Sequence, residues 1–323
     1  VSVRRTFRTG PDDEAERLDR LVLRRLADIP GLSRVRIQQW IEAGRVRIGG
    51  VAVTRSSLRP ALGTEVEVLF PQARPHARPA AQEIPLSILF EDDWLLALDK
   101  PPGMVAHPTK GHADGTLVNA LLFYLGQTEG GAGLVHRLDK GTSGVLLVAK
   151  APDVHARLAR VLGTREVEKE YLAAVYGPVR FPKGRIDRRI LRDPSEPRRR
   201  MTSRTEGQDA TTLWERLAET PGEDGGIALL RCRLLTGRTH QIRVHLSAEG
   251  MPIVGDPLYG EPRWKGVRDP ALAAACRGFP RQALHARRVR FPHPVTGGTV
   301  EVVAPVPGDL AALLKAAGLA ASV

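Results

Sequence analysis

Cysteine is close to absent: Cys232 and Cys276 are the only two in 323 residues. That excludes a disulfide scaffold, leaves no cysteine pair at zinc spacing, and fits a reducing compartment. No apolar run approaches the roughly 18–20 residues of a membrane span. The arginine-bearing N-terminal stretch has no apolar core of a signal peptide. The expectation is a soluble, cytoplasmic protein with no membrane partner. Several chemistries are missing as well. Gly141 to Lys150 lacks the order of a phosphate-cradling P-loop, and no G-x-G-x-x-G follows a strand. Ser143 sits in no G-x-S-x-G elbow, and there is no H-E-x-x-H. His240 and His245 lie five apart in an expected strand, on opposite faces, so they make no metal pair. No metal site is expected.

Lysine is scarce too, eight of 48 basic residues, and arginine supplies the rest. A codon bias would explain arginine over lysine. It would not explain a formal net charge of +12. Guanidinium forks fit phosphate oxygens bidentately and stack on bases, so a polyanionic partner is expected, nucleic acid ahead of a membrane surface. At 323 residues and 42% hydrophobic content the chain is globular and long enough for two domains.

Residues 1–70 read as a first α+β unit. Leu18, Leu21, Val22 and Leu26 mark one helix, and Ser33 caps a second whose inner face is Ile37, Trp40 and Ile41. Val46–Ile48 and Val51–Val53 flank Gly49-Gly50 as a hairpin, and Val66–Leu69 adds a strand. Residues 1–75 hold 14 arginines against 9 acids. Residues 71–85, with Pro71, Pro75, Pro79 and Pro85, read as a semi-rigid linker. Residues 86–323 form the second body. Its expected strands are 94–98, 145–149, 167–176, 211–217, 227–236, 242–246 and 299–304. Helices follow Thr116 and Asp153, residues 261–282 read as an irregular insertion, and a last helix near 309–317 as a surface cap. The arginine run at 198–200 lies in a segment, 181–206, with nine bases and four acids. It is either a solvated face or an RNA-contacting loop.

The most informative stretch is His136-Arg137-Leu138-Asp139-Lys140-Gly141-Thr142-Ser143-Gly144, followed at once by apolar Val145–Ala149. It hangs one carboxylate, Asp139, on a tight turn anchored to a buried strand. Such an acid is either a nucleophile or an ordinary turn residue capping backbone N–H groups. Three further segments stand out: Glu168-Lys169-Glu170-Tyr171-Leu172, the run from Thr236 to Leu246 with Gln241-Ile242-Arg243, and Gly255-Asp256-Pro257-Leu258-Tyr259-Gly260.

In this order the four segments closely resemble the pseudouridine synthases of the RluA family, in the branch that carries an N-terminal S4 domain and acts on large-subunit ribosomal RNA. The string Ser33 to Val46 resembles the S4 RNA-binding helix and its exit. The resemblance implies an S4-like module followed by a catalytic domain with a mixed, mainly antiparallel sheet split by a central cleft. It places the catalytic aspartate on Asp139, the active-site tyrosine on Tyr171 and the carboxylate-pairing arginine on Arg243. Arg137 falls on the arginine associated with flipping the uridine, and Ile242 on an apolar position beside the base. Arg238 and His240 join them as expected substrate contacts, and Arg34, Arg36 and Arg45 as RNA contacts. Structured RNA is the implied partner, for a monomer that needs no cofactor. Two other readings keep part of this pattern: a non-catalytic S4-type ribosome-assembly factor, and a synthase acting on transfer RNA.

Overall fold

The computed structural model describes residues 2–29, 32–71, 79–109, 111–127, 133–220 and 225–319. The chain divides into two units, Val1–Arg78 and Pro79–Val323. The first runs β1 (Ser2–Arg8), α1 (Leu18–Arg25), α2 (Arg34–Glu42), β2 (Val46–Ile48), β3 (Val51–Val53) and β4 (Glu65–Pro71). Its antiparallel sheet has the order β1-β4-β2-β3. Leu18, Val22, Ile37 and Ile41 of the two helices are buried against Val46, Val66 and Val68 of the sheet. Trp40 stacks on Phe70 at 5.3 Å. The Ser33 side chain accepts from Arg36 N, as its capping role requires. Gly49 and Gly50 take φ of 56° and 84°, the paired positive values of a two-residue hairpin turn. β1 was not expected. Val3 and Phe7 share a face of it, opposite Phe70 and Val66 of β4, but Arg5 between them breaks the apolar alternation.

The second unit opens with β5 (Ile88–Glu91), β6 (Leu95–Lys100), α3 (Leu117–Tyr124), β7 (Gly133–Leu134), β8 (Ser143–Ala149), α4 (Pro152–Val161) and β9 (Glu168–Tyr176). It continues through β10 (Lys183–Asp187), β11 (Arg189–Arg192), β12 (Arg200–Ser203), β13 (Thr211–Glu219) and β14 (Ile227–Leu234). It ends with α5 (Gln241–Ala248), α6 (Pro270–Gly278), β15 (Leu284–Pro292), β16 (Thr299–Val303) and α7 (Gly308–Ala316). The main sheet follows β10-β13-β14-β9-β15-β8-β6-β5, with β7 beside β8 and β16 beside β15. From Val145 to Ala149 β8 is apolar because helices cover both its faces: Val145 and Leu147 meet α4, and Leu146 and Val148 meet α3.

The two halves of this sheet meet at one short seam. β15 pairs parallel with β8 only at His285↔Ser143 and Ala286↔Gly144. Every other ladder in the sheet is antiparallel. Ala286 is also opposite Tyr171 of β9. Gly144, Ala286 and Tyr171 therefore stand side by side on three neighbouring strands. Gly144 has φ of 106°, and a Cβ there would run into the Ala286 backbone. The seam thus depends on glycine at this position.

Four expectations need correction. Residues 242–246 are not a strand but lie within α5. Ile242 and Leu246 pack into the largest core while Val244 packs on Ile190 and Ala210, so both sides of a short buried helix are apolar and mimic alternation. Residues 261–282 are not irregular. Asp269 accepts from Leu272 N to start α6, whose Leu272 and Cys276 are core residues. The last helix is no surface cap, because Leu310, Leu313 and Leu314 are buried in that core. Asp153 is not the cap of α4: the chain enters at Ala151, and Pro152 is the first helical residue. Of the expected linker, residues 72–78 lie outside the described residues. Residues 79–85 belong to the second unit, where Asn119 donates to Ala80 O at 2.7 Å and Gly115 N to Gln82 at 2.7 Å.

Candidate active site

The turn bearing Asp139 is held from outside at successive residues. Its own closure is Thr142 N to Asp139 O, 2.9 Å. The Lys140 carbonyl accepts from Gly103 N at 2.8 Å and from the Lys100 ammonium at 3.3 Å. The Gly141 carbonyl accepts from Arg281 at 2.9 Å, and Gln282 donates to the Thr142 hydroxyl at 3.0 Å. Ser143 Oγ meets His285 Nδ1 at 3.0 Å. Leu138 is buried against Leu146 and Ala286, a hydrophobic peg beside the acid. Arg281 is clamped in turn by Asp309 of α7, at 2.6 and 2.9 Å. Lys100 is fully buried and also donates to the carbonyls of Pro101 and Met104. Burial, with the charge of Arg281, pulls its ammonium down to about 8. Burial pulls His285 down to about 4, so it is a neutral hydrogen-bonding group.

Arg243 projects from α5 onto the acid. Its Nη1 donates to Asp139 Oδ2 at 2.8 Å, while Nε and Nη2 grip both oxygens of Asp256 at 2.7 and 2.8 Å. Asp256 is fully buried and accepts also from Leu258 N and Tyr259 N. Burial works against the Arg243 charge, but its bonds to Asp256 and Asp139 outweigh it and push the guanidinium pKa up. The cation is therefore permanent, and an anion beside it is favoured. Asp256, Lys100 and Arg281 had no assigned role from sequence. The Gly255–Gly260 segment was conspicuous, but only the fold brings its aspartate behind Arg243.

His240, at φ of 58° before α5, places Nε2 3.8 Å from Asp139 Oδ2 and Nδ1 3.0 Å from the Tyr259 hydroxyl. That hydroxyl also accepts from Arg200 N at 2.7 Å, which ties the β11–β12 hairpin to the site. Tyr259 lies under the Arg243 and Arg199 guanidinium groups at 5.2 and 5.5 Å. Burial pulls the His240 pKa down, against the opposing charge of Asp139. Tyr171 is pushed up by burial, and further by Asp139, so its hydroxyl keeps its proton.

A cavity of about 370 Å³ opens over this group, lined by Arg137, Asp139, Tyr171, His240, Ile242 and Arg243 among others. Arg238 lies on the same wall and donates to Asp209 O at 3.1 Å. Seven of the sequence-designated residues thus converge. Arg34, Arg36 and Arg45 belong to the other unit. Arg34 is an ion-pair partner of the buried Asp19, at 2.8 Å, whereas Arg36 and Arg45 are exposed. Among the described residues no group of three or more His, Cys, Asp or Glu side chains can hold a metal ion, and no helix is long and apolar enough to cross a membrane.

An acid fixed beside a permanent cation, a protonated phenol and apolar walls suit chemistry on a planar ring shielded from water. The RNA pseudouridylate synthase family profile matches residues 94–248. A ribosomal large subunit pseudouridine synthase D of Xanthomonas campestris is 45% identical over 311 residues, covering 95% of this chain and 90% of that protein. RNA pseudouridine synthase YlyB of Bacillus subtilis, itself uncharacterised, is 38% identical over 310 residues, 94% of this chain and 95% of that one. Among solved structures, human RNA pseudouridylate synthase domain containing 1 is 28% identical and has a TM-score of 0.54, covering 70% of this chain and 85% of that one.

Proposed function

The chain belongs to the RNA pseudouridylate synthase family, and from that premise we propose that it isomerises uridines of large-subunit ribosomal RNA with Asp139 as the reacting carboxylate. The enzyme is an isomerase acting on RNA uridine. Its ribosomal target is supported by the name of its 45% identical relative. The role of Asp139 is supported above all by its 2.8 Å contact with an Arg243 that Asp256 immobilises.

The reaction breaks the N1–C1′ bond of uridine, turns the base, and rejoins it through C5, with the C5 proton lost and N1 protonated. Atoms and oxidation state are conserved, so the chemistry calls for no cofactor. Asp139 acts as the carboxylate, with Arg243 as its charge partner at 2.8 Å. Buried Ile242 gives the detached uracil an apolar surface in the cavity. Tyr171 serves as platform and relay: holding its own proton, it takes one from C5 only as it gives one up. The base must first leave its stack, at a cost of a few kcal/mol. Arg137, exposed at the cavity rim, fills the vacated space or grips the backbone. His240 and Arg238, also in the cavity lining, contact the substrate as well.

The first unit is proposed to be an S4-like RNA-binding domain. The order helix, basic helix, glycine hairpin supports it, with exposed Arg36 and Arg45 as phosphate contacts and Arg34 serving mainly to hold Asp19. The protein is proposed to act as a monomer in the cytoplasm, where ribosomal RNA is assembled. Position-resolved pseudouridine mapping of total RNA, with the gene deleted and restored, tests the target. Sites lost from large-subunit ribosomal RNA on deletion are expected. Loss only from transfer RNA would replace the substrate, and no loss at all would refute the proposal.

A further inference from the structure

Part of the cavity lining comes from the end of α4 and the residues after it, Ala159, Leu162 and Gly163, and from two polar side chains, His136 and Lys169. Residues two apart on a strand share a face, so β9 sets Lys169 on the same side of the sheet as Tyr171. The Lys169 ammonium donates to the Leu162 carbonyl at 3.1 Å. That bond engages one of its three N–H groups. Among the described residues no carboxylate forms an ion pair with it, and burial alone pulls its pKa down, with no opposing charge.

His136 is the second donor. Its Nε2 accepts from Leu147 N at 2.9 Å. A neutral imidazole that accepts at one nitrogen carries its proton on the other, so Nδ1 presents an N–H. Burial, helped by the charge of Lys169, holds His136 down at about 3, so this tautomer persists across the physiological range. This part of the lining therefore offers a cation and a neutral donor. A wall of donors is matched by a ligand of acceptors, and an uncompensated cation is matched by an anion.

We infer that Lys169 and His136 form a subsite for one phosphodiester group of the RNA strand, adjacent to the uridine held at Asp139. The inference rests on the reading of Asp139 as the uridine site. The subsite lies on the rigid strand that carries Tyr171, so gripping the backbone there sets the position of the base against the tyrosine. Lys169 also caps the α4 carbonyls, and a cap alone would account for the Leu162 bond. The two roles differ in what salt does to RNA binding.

The test is filter binding of an in vitro transcript of large-subunit ribosomal RNA to wild type, Lys169→Met and Lys169→Arg across a potassium chloride series. Loss of one phosphate contact should weaken binding by about tenfold. It should also flatten the slope of log affinity on log salt by about 0.7–0.9. Lys169→Arg should restore both. An unchanged slope in Lys169→Met, whatever its melting temperature, leaves only the cap and overturns the subsite. A second measurement needs no variant that folds. A hairpin carrying a mapped target uridine, with a methylphosphonate at either flanking linkage, should bind wild type more weakly at one of the two. Equal binding of both neutral hairpins and the native one overturns the inference. Wild type that binds but releases no tritium from transcript labelled at uridine C5 would instead refute the pseudouridylation reading, and the slope comparison would still stand.

Discussion

Arg243 decides what Asp139 can be. A carboxylate on a tight turn is most often a cap, and here the turn is closed through the Asp139 carbonyl, leaving the carboxylate free to face the cavity. The guanidinium that meets it cannot swing away, because Asp256 holds two of its nitrogens. Three ionised groups in a row are costly to bury, and removing the middle one would leave Asp256 uncompensated. Tyr171 offers the cleaner test at this scale. Its ring and its hydroxyl have separate tasks, and its raised pKa makes it a proton holder. Tyr171→Phe should bind ribosomal RNA as wild type does, yet lose on the order of 10²–10⁴ in single-turnover rate. A loss of binding with an unchanged rate would show the tyrosine to be packing only.

At the scale of elements, the turn is a meeting place of distant strands and helices. Asp309 at the start of α7 fixes Arg281, Arg281 fixes the Gly141 carbonyl, and the acid stands two residues away. Asp309→Ala should therefore lower the maximal rate several-fold with little change in RNA affinity, as measured by enzyme titration under single-turnover conditions. Equal effects on both would deny the tether. The turn was legible in sequence because its signals are local: a tight polar stretch, a glycine, then an apolar strand. Tyr171 and Arg243 were legible through resemblance, not through spacing. Lys100, Asp256 and Arg281 were not legible, since each acts across a sheet or between elements far apart in the chain. α5 was misjudged because a helix buried on both sides lacks the one-sided stripe that periodicity detects. α7 does carry such a stripe, Leu310, Leu313 and Leu314, but a stripe does not tell which core it covers. The first unit has its own buried acid. Burial would raise Asp19, but hydrogen bonds from Arg17, Arg34 and Gln38 hold it down at about 2, below its ordinary 3.8. The stability this gives is present above about pH 4 and is lost as pH falls toward 2. Asp19→Asn should flatten the acid limb of unfolding in that window, followed by the fluorescence of Trp40. An identical acid limb in wild type and variant would contradict it.

For the whole molecule, the cavity belongs to the second unit, while exposed arginines of the first are proposed to contact RNA. Arg36→Ala with Arg45→Ala should weaken RNA binding and reduce the salt slope by about 1.4–1.8, if each arginine neutralises one phosphate. The rate at saturating enzyme should remain, because neither residue belongs to the catalytic unit. A full slope with a reduced rate would reverse that division of labour. The central claim is narrower than any of these: one carboxylate, paired with Arg243, carries the isomerisation. Asp139→Asn keeps the shape of the side chain and removes its charge. The most direct measurement is pseudouridine mapping of ribosomal RNA from cells lacking the gene, complemented with wild type or with Asp139→Asn at equal protein levels. The prediction is restoration by wild type and none by the variant, although the variant still binds the RNA. Equal modification by both would contradict the account.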